Sequence, residues 1–535
     1  MNKYSFLNKF ELKQHTLTLF VAIFLTLFTN FSFFKHVTEI YPLEDNWLFI
    51  VSLGIVLFSL TTFLLLLITW SRASKPILIL VVFISSFVAY FMDTYDIVID
   101  TRMLDNVFQT DIHEASDLFS PILIVYVALL GILPSYLIYK VRTVRSRWKT
   151  TFLDKGKYLL LSLVLITVLL FAFSKNYTSF FREHKPLRFY TNPTFYLYSF
   201  GEYTYEKLSH PYEGLQVIGQ DAKIVRTGEE RKLVVLVVGE AVRWDHFSLN
   251  GYSRDTNLTI KKENIINFSN VTSCGTETAV SVPCMFSNLT REGFDGNKAE
   301  HTENALDVAK RAGVNVLWRD NNSDSKGVAL RVDYQDYKIP ENNTICIDGE
   351  CRDEGMLVGL NEFIKNHPKG DILIVLHQMG NHGPAYYKRY PKSFEKFTPV
   401  CKSNQLEQCT QQEIVNAYDN SILYTDYFLG KVINFLKSND NKFATAMVYM
   451  SDHGESLGEK GLYLHGFPYA IAPEAQKHVP TVMWFGKNFK VNKQKLGNKS
   501  QQSFSQDGYF HTILSLLDIQ TNAYNKDLDI LMGTK

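Results

Sequence analysis

Tyr449-Met450-Ser451-Asp452-His453-Gly454-Glu455-Ser456 is the stretch on which the fold of this chain turns. The apolar run from Ala446 to Met450 reads as a buried strand. Two metal-ligand side chains follow at its carboxyl end, and then a glycine that lets the backbone turn sharply. Side chains next to each other on a regular strand face opposite ways, so Asp452 and His453 can share a metal only where the strand has ended. A lone Asp-His pair is commonly a surface turn, but three other strand-like runs end in the same manner. Leu233–Val238 ends in Gly239-Glu240, and Val314–Trp318 in Arg319-Asp320-Asn321-Asn322. Ile372–Leu376 leads to His377 and on to Asn381-His382-Gly383-Pro384. Ligands of open α/β sheets bind outside the carboxyl ends of the strands, so polar groups at that end of four strands point to one site.

The surrounding residues complete such a sheet. From Lys232 onward short apolar runs alternate with helix-like stretches, which predicts an α/β sheet with helices on both faces. Helices are expected at Ala305–Ala312, Met356–Asn366, Ile414–Lys437 and Asp507–Leu517, and a late strand at Val479–Phe485. The longest, Ile414–Lys437, carries apolar residues at the spacing of an amphipathic helix. No internal repeat or low-complexity tract interrupts the order.

The first third is built for a different solvent. Leu17–Phe34, Trp47–Thr69, Ile77–Met92, Leu118–Tyr139 and Tyr158–Phe173 are five apolar segments long enough, or nearly so, to cross a bilayer. No small-residue cleavage site follows the first, which separates it from a signal peptide. Lys3, Lys9 and Lys13 precede the first segment, and Arg72 and Lys75 follow the second. Lys140, Arg142, Arg145, Arg147, Lys149, Lys155 and Lys157 separate the fourth from the fifth. By the distribution of Lys and Arg the amino terminus is cytoplasmic, and five crossings deliver the carboxyl part outside. The expected division is a transmembrane domain over 1–173, an aromatic interfacial linker over 174–231 and a catalytic domain over 232–535. The linker has a second reading, as a segment packed on the soluble domain. The loop with Asp93, Asp96, Asp100 and Asp105 reads as a solvated face or as an interfacial helix near a substrate entry.

Composition agrees with this division. The 535 residues exceed one ordinary core. A net charge of +1, without a basic stripe interleaved with aromatics, argues against nucleic acid as a partner. All 6 cysteines lie in the second part, which suggests disulfides and an oxidising compartment. Their spacing favours Cys274–Cys284, Cys346–Cys351 and Cys401–Cys409. No Cys-x-x-Cys occurs, which argues against a cysteine metal site.

The chemistry centres on Thr272-Ser273-Cys274-Gly275-Thr276-Glu277-Thr278-Ala279-Val280-Ser281-Val282-Pro283-Cys284. A hydroxyl nucleophile is inert at its free pKa and needs a base or a metal. If Thr278 opens a helix, the free N–H groups there would also hold phosphate oxygens. Thr276 and Ser281 are rival nucleophiles, and Thr is also an ordinary N-cap. With Glu240, Asp452 and His453, Thr278 completes a four-group oxygen and nitrogen set of the kind zinc takes. His382 and His465, each flanked by turn residues, suit proton donation, a grip on phosphate or a second metal. Lys326 can neutralise phosphate, or simply be solvated.

These motifs together resemble the lipid A phosphoethanolamine transferases, a family that includes the mobile colistin-resistance enzymes. The resemblance spans the chain: five crossings, then a periplasmic domain of the alkaline phosphatase/sulfatase type. It implies that Thr278 is the nucleophile that carries phosphoethanolamine, and that Glu240, Thr278, Asp452 and His453 bind one zinc. His382 and His465 would line the substrate or a second zinc, and Asn322 and Lys326 would lie near the phosphate. It also implies phosphatidylethanolamine as donor and lipid A as acceptor, at the inner membrane of a bacterium, by a monomer. Two other readings stand beside it. One keeps the metal and the threonine but changes the acceptor to a core sugar or another periplasmic group, donates phosphoglycerol, or hydrolyses. The other is a non-enzymatic membrane sensor, which the complete ligand set argues against.

Overall fold

The computed structural model describes residues 11–70, 73–109, 118–144, 148–209, 214–226, 228, 230–347, 349–403 and 406–535. Lys3, Lys9, Arg72, Arg145 and Arg147, five of the cations used for orientation, lie outside the described residues. The chain divides into two compact units, Met1–Leu104 with Phe119–Glu206, and Asp105–Leu118 with Lys207–Lys535.

The first unit is helical. Helices α1 (Gln14–Phe28), α2 (Phe31–Ile40), α3 (Leu43–Ile68), α4 (Ser74–Tyr95), α5 (Thr101–Gln109), α6 (Pro121–Lys140) and α7 (Trp148–Ala172) follow in order. Among the described residues, α3, α4, α6 and α7 are each long and apolar enough to cross a membrane. The expected first crossing differs from these four. It is a pair, α1 and α2, bent by 53°, so the count reaches 5 only if the pair is one span. The break has a local cause. Asn30 donates to Leu25 O at 3.0 Å and to Asn192 O at 2.6 Å, taking a helix-terminal carbonyl and anchoring the turn to a distant segment. The third and fifth segments begin earlier than their apolar cores, at Ser74 and Trp148. Helix α6 contains a π-helical turn, Val127–Ile132, and passes close to α4 at Gly131, where a Cβ would lie 2.6 Å from Ser86 Oγ. The connector continues as α8 (Ser174–Glu183) and α9 (Thr194–Ser209), and Tyr177 and Phe180 pack with Phe33, Phe49 and Leu53.

The second unit is built on an eight-stranded sheet. Its elements are β1 (Lys232–Gly239), β2 (Ile265–Thr272), α10 (Thr278–Phe286), α11 (Ala305–Arg311), β3 (Asn315–Asp320), β4 (Asp333–Asp336) and α12 (Leu360–Asn366). They continue as β5 (Ile372–His377), α13 (Gln411–Asn439), β6 (Ala444–Ser451), β7 (His478–Phe485), β8 (Phe504–Ser505) and α14 (Tyr509–Leu516). The strand order is β8-β2-β7-β6-β1-β5-β3-β4. The four strands that end in polar motifs, β6, β1, β5 and β3, are adjacent and parallel, so their carboxyl ends share one edge. β7 runs antiparallel beside β6. Every residue of β1, β5 and β6 is buried, as expected for parallel strands covered on both faces. Val234, Leu236, Val238, Val375, Val448 and Met450 turn to one side, where α10, α11 and α14 close a common core. Helix α13 carries a capping box, Thr410 with Glu413, and buries Ile414, Tyr418, Ile422 and Phe428.

Sequence expectation and structure part at three places here. The single helix expected over Met356–Asn366 is a 3-10 turn, Asp353–Leu357, then α12. Gly359 separates them at φ 77°, and Arg319 takes the carbonyls of Met356 and Val358 at 2.6 Å. Strands β2, β4 and β8 have no strong apolar run to announce them, because they lie toward the sheet edges and are only partly buried. The closing helix begins at Tyr509 rather than Asp507, after a 3-10 turn over Gln506–Gly508. Disulfides join Cys274 to Cys284, Cys346 to Cys351 and Cys401 to Cys409.

Candidate functional site

Each of the first site residues is set where a parallel strand stops. Past β1 the chain turns through Ala241, whose φ of 55° is uncommon for a residue with a Cβ. That turn aims the Ala241 N–H at Asp452 Oδ1, 3.1 Å away. Past β6, the N–H of His453 donates to the same oxygen at 2.7 Å. Thr278 is the first residue of α10, with Glu277 in extended conformation at the N-cap.

Four groups meet at this edge. Thr278 Oγ1 lies 3.0 Å from Glu240 Oε2 and 3.3 Å from His453 Nε2. His453 Nε2 lies 3.5 Å from Glu240 Oε1 and 3.4 Å from Asp452 Oδ2. Glu240, Asp452 and His453 are fully buried, and Thr278 is nearly so. His453 Nδ1 faces Gly454 O at 2.8 Å, and a carbonyl only accepts, so the proton sits on Nδ1 and Nε2 offers a lone pair. Glu240 Oε1 and Asp452 Oδ2, both buried, have no hydrogen-bond partner among the described residues. Three lone-pair atoms therefore converge with the Thr278 hydroxyl as the one donor among the four groups, and that donor points to Glu240 Oε2; a buried cation satisfies such an arrangement. The residues fit a divalent metal ion on that ground.

The electrostatics follow from the same crowding. Burial, and then the neighbouring Glu240, push the Asp452 carboxyl well above the usual range. Burial also works against Glu240, but His453, His382 and His465 hold its carboxyl down, to about 2. Burial and the charge of His465 lower His453 to about 4, which keeps its imidazole neutral, the form that ligates a metal. Burial alone would lower His465, yet Glu455, with Glu240 and Asp452 behind it, raises it to about 10.

A second cluster shares Glu240. Ligand atoms of Glu240, His382 and His465 lie within 4.8 Å of one another, and the His382 and His465 rings are 5.7 Å apart. Asn322 donates to Glu240 Oε2 and to Gln378 O, each at 2.8 Å. Lys326 donates to Ser323 O at 3.2 Å. The rival hydroxyls are engaged elsewhere. Thr276 donates to Phe467 O at 2.6 Å, and Ser281 Oγ accepts from Gly275 N at 3.0 Å. Of the three, only Thr278 faces Glu240 and His453.

Sequence reasoning missed the groups that hold the site. Glu455 Oε2 lies 3.2 Å from His465 Nδ1 and orients that ring. Gln506 accepts from Cys274 N at 2.6 Å and donates to Ser451 O and Asp452 O at 2.9 and 2.7 Å, tying the nucleophile loop to the ligand loop. Glu455 sits inside the quoted Asp-His-Gly-Glu-Ser stretch and was open to notice. Gln506 lies far along the chain in a stretch without a pattern, and nothing local marks it.

Known proteins carry the same two parts. A family model described as phosphoethanolamine transferase EptA/EptB matches residues 57–208, and one described as sulfatase matches 232–519. Phosphatidylethanolamine transferase Mcr-1 of Escherichia coli is 44% identical over 93% of this chain and 94% of its own length. The chain belongs to the phosphoethanolamine transferase family. Phosphoethanolamine transferase EptA of E. coli K12 is 40% identical over 96% of this chain and 95% of its own. The integral membrane lipooligosaccharide phosphoethanolamine transferase A of Neisseria meningitidis superposes with a TM-score of 0.93 at 36% identity, covering 97% of this chain and 98% of that one. Membership fixes the architecture as a helical membrane region followed by a sulfatase-like α/β domain, and the location as a bacterial inner membrane with that domain in the periplasm.

Proposed function

We propose that this phosphoethanolamine transferase moves phosphoethanolamine from phosphatidylethanolamine to a lipid A phosphate through a covalent intermediate on Thr278. The observation that carries the reading is the convergence of Glu240, Asp452 and His453 on the Thr278 hydroxyl, the one hydroxyl of its loop so placed. Glu240, Thr278, Asp452 and His453 would hold one zinc, with His382 and His465 able to hold a second beside Glu240. When bound, the ion would lower the pKa of the Thr278 hydroxyl and offset negative charge on the phosphoryl group.

In the first step Thr278 Oγ1 forms a bond to phosphorus and the bond from phosphorus to the diacylglycerol oxygen breaks. The threonine proton leaves to a neighbouring acceptor, and the departing oxygen takes a proton from the His382 and His465 side of the site. In the second step an oxygen of the lipid A phosphate attacks the same phosphorus and Thr278 Oγ1 leaves. One site then serves donor and acceptor in turn. Asn322 keeps Glu240 Oε2 oriented throughout, and Lys326, on the same loop, would meet phosphate charge. The product adds an ammonium group to an anionic surface, weakening its attraction for polymyxins such as colistin. The division into 1–173, 174–231 and 232–535 belongs to the same proposal, with the first segment holding lipid substrates and the last doing the chemistry.

The test is mass spectrometry of lipid A from cells expressing the wild type or Thr278→Ala. A phosphoethanolamine increment on lipid A with the wild type alone is expected. An increment on the core oligosaccharide instead would replace the acceptor, and an increment surviving the substitution would remove Thr278 from the mechanism.

A further inference from the structure

Asp353 holds the loop on which His382 stands. It opens the 3-10 turn Asp353–Leu357, two residues after Cys351, and is 4% exposed. Its Oδ1 accepts from Asn321 Nδ2 at 2.8 Å and from Met379 N at 2.9 Å. Its Oδ2 accepts from Gln378 Nε2 at 3.1 Å and from Gly380 N at 3.2 Å. Among the described residues it makes no ion pair, so these four donors alone compensate the buried carboxylate. Three of the four belong to consecutive residues, Gln378, Met379 and Gly380.

Those residues press directly on the catalytic edge. Gly380 has φ 51°, and a Cβ there would lie 3.0 Å from Glu240 Cβ and 3.1 Å from the Glu240 backbone N and O. Asn381 N donates to Glu240 O at 3.1 Å, and His382 N to Met379 O at 3.2 Å. From the other side, Asn321 also reaches Cys351 O at 3.0 Å, and its neighbour Asn322 holds Glu240 Oε2. A buried carboxylate without a cation is a poor way to gain stability, because an apolar group of similar size avoids the desolvation cost. It is a good way to fix three successive loop residues at once, since each oxygen accepts two bonds of set direction.

We propose that Asp353 is a positioning residue of the transfer reaction: it sets loop 378–382, and through that loop the placement of Glu240 and His382. The proposal rests on the reading of Glu240 and His382 as site residues. Asp353→Asn keeps the volume but turns an acceptor into a donor facing other donors. Gln378→Met removes one donor and leaves the backbone bonds.

The experiment uses the full-length enzyme in detergent with phosphatidylethanolamine, following diacylglycerol release and thermal unfolding. Asp353→Asn is expected to lower kcat about tenfold or more, and Gln378→Met about threefold, with KM within about twofold in both. The double variant is expected to lose less than the product of the single losses, because Gln378 acts through Asp353. A folded Asp353→Asn enzyme with wild-type kcat, a loss carried by KM alone, or losses that multiply would overturn the proposal. If Asp353→Asn does not fold, Gln378→Met decides: reduced kcat at unchanged melting temperature supports the proposal, and wild-type kcat overturns it. A wild type that releases no diacylglycerol overturns the underlying reading and this proposal with it, whereas an active wild type matched by its variants overturns this proposal alone.

Discussion

Replacing Thr278 with alanine removes the only hydroxyl of its loop that meets Glu240 and His453. Transfer is expected to disappear, while Thr276→Ala and Ser281→Ala leave a measurable rate, as diacylglycerol release from the purified variants would show. A comparable rate for Thr278→Ala would transfer the role to another group. Asn322→Leu removes the amide that orients Glu240 Oε2 and leaves a buried carboxylate oxygen with one donor fewer, so kcat is expected to fall about tenfold or more. A wild-type kcat in that variant would show that Glu240 needs no such support. At this scale much was legible in advance. Glu240, Asp452 and His453 stand beside turn signals at the ends of apolar runs, so residue type and local pattern both mark them, whereas Thr278 lies in a hydroxyl-rich stretch where Thr276 and Ser281 were rivals. Glu455, Gln506 and Asp353 act through partners 10, 54 and 27 residues away, respectively His465, Asp452 and Gly380. No local pattern encodes such a pairing.

Among the elements, the nucleophile loop and the Gly380 turn carry the most exacting geometry. The Cys274–Cys284 disulfide closes the loop that presents Thr278, and the chain-entropy model assigns such a short closure roughly 3 kcal/mol. A Cys274→Ser and Cys284→Ser double variant is therefore expected to melt several degrees lower, and to lose activity before it loses the fold. Calorimetry beside the diacylglycerol assay checks this, and an unchanged melting temperature would mean the sheet alone holds the loop. The parallel strands were readable because both their faces are buried and their residues are almost uniformly apolar. The partly polar β2 and β4 were not, since strands only partly buried lack that run. The break between α1 and α2 hid in an apolar sequence because Asn30 and a partner near residue 192 make it together.

For the molecule as a whole, pH tests a buried histidine outside the ligand set. His511 is 2% exposed, and burial lowers its pKa from 6.5 to about 4. Its Nδ1 accepts from Asn525 N at 3.1 Å, a bond that the protonated ring cannot make. The unfolded chain takes up that proton near pH 6.5 and the folded chain only near 4, so more protons are bound on unfolding between those values. His511 thus contributes stability that is complete above about pH 6.5 and is lost as the pH falls toward 4. His511→Gln, which keeps an acceptor for Asn525, is expected to flatten that part of the melting-temperature profile. An unchanged profile would assign the acid sensitivity to other groups.

The central claim, that a buried acceptor set arms Thr278 to carry the transferred group, is tested most directly on the protein itself. The full-length enzyme is incubated with phosphatidylethanolamine in the absence of lipid A, digested and analysed by mass spectrometry. The account expects one phosphoethanolamine on the peptide that contains Thr278, localised to that residue and absent after chelation of the metal. An adduct on Thr276, Ser281 or a histidine, or steady release of diacylglycerol with no adduct in a quenched reaction, would contradict it.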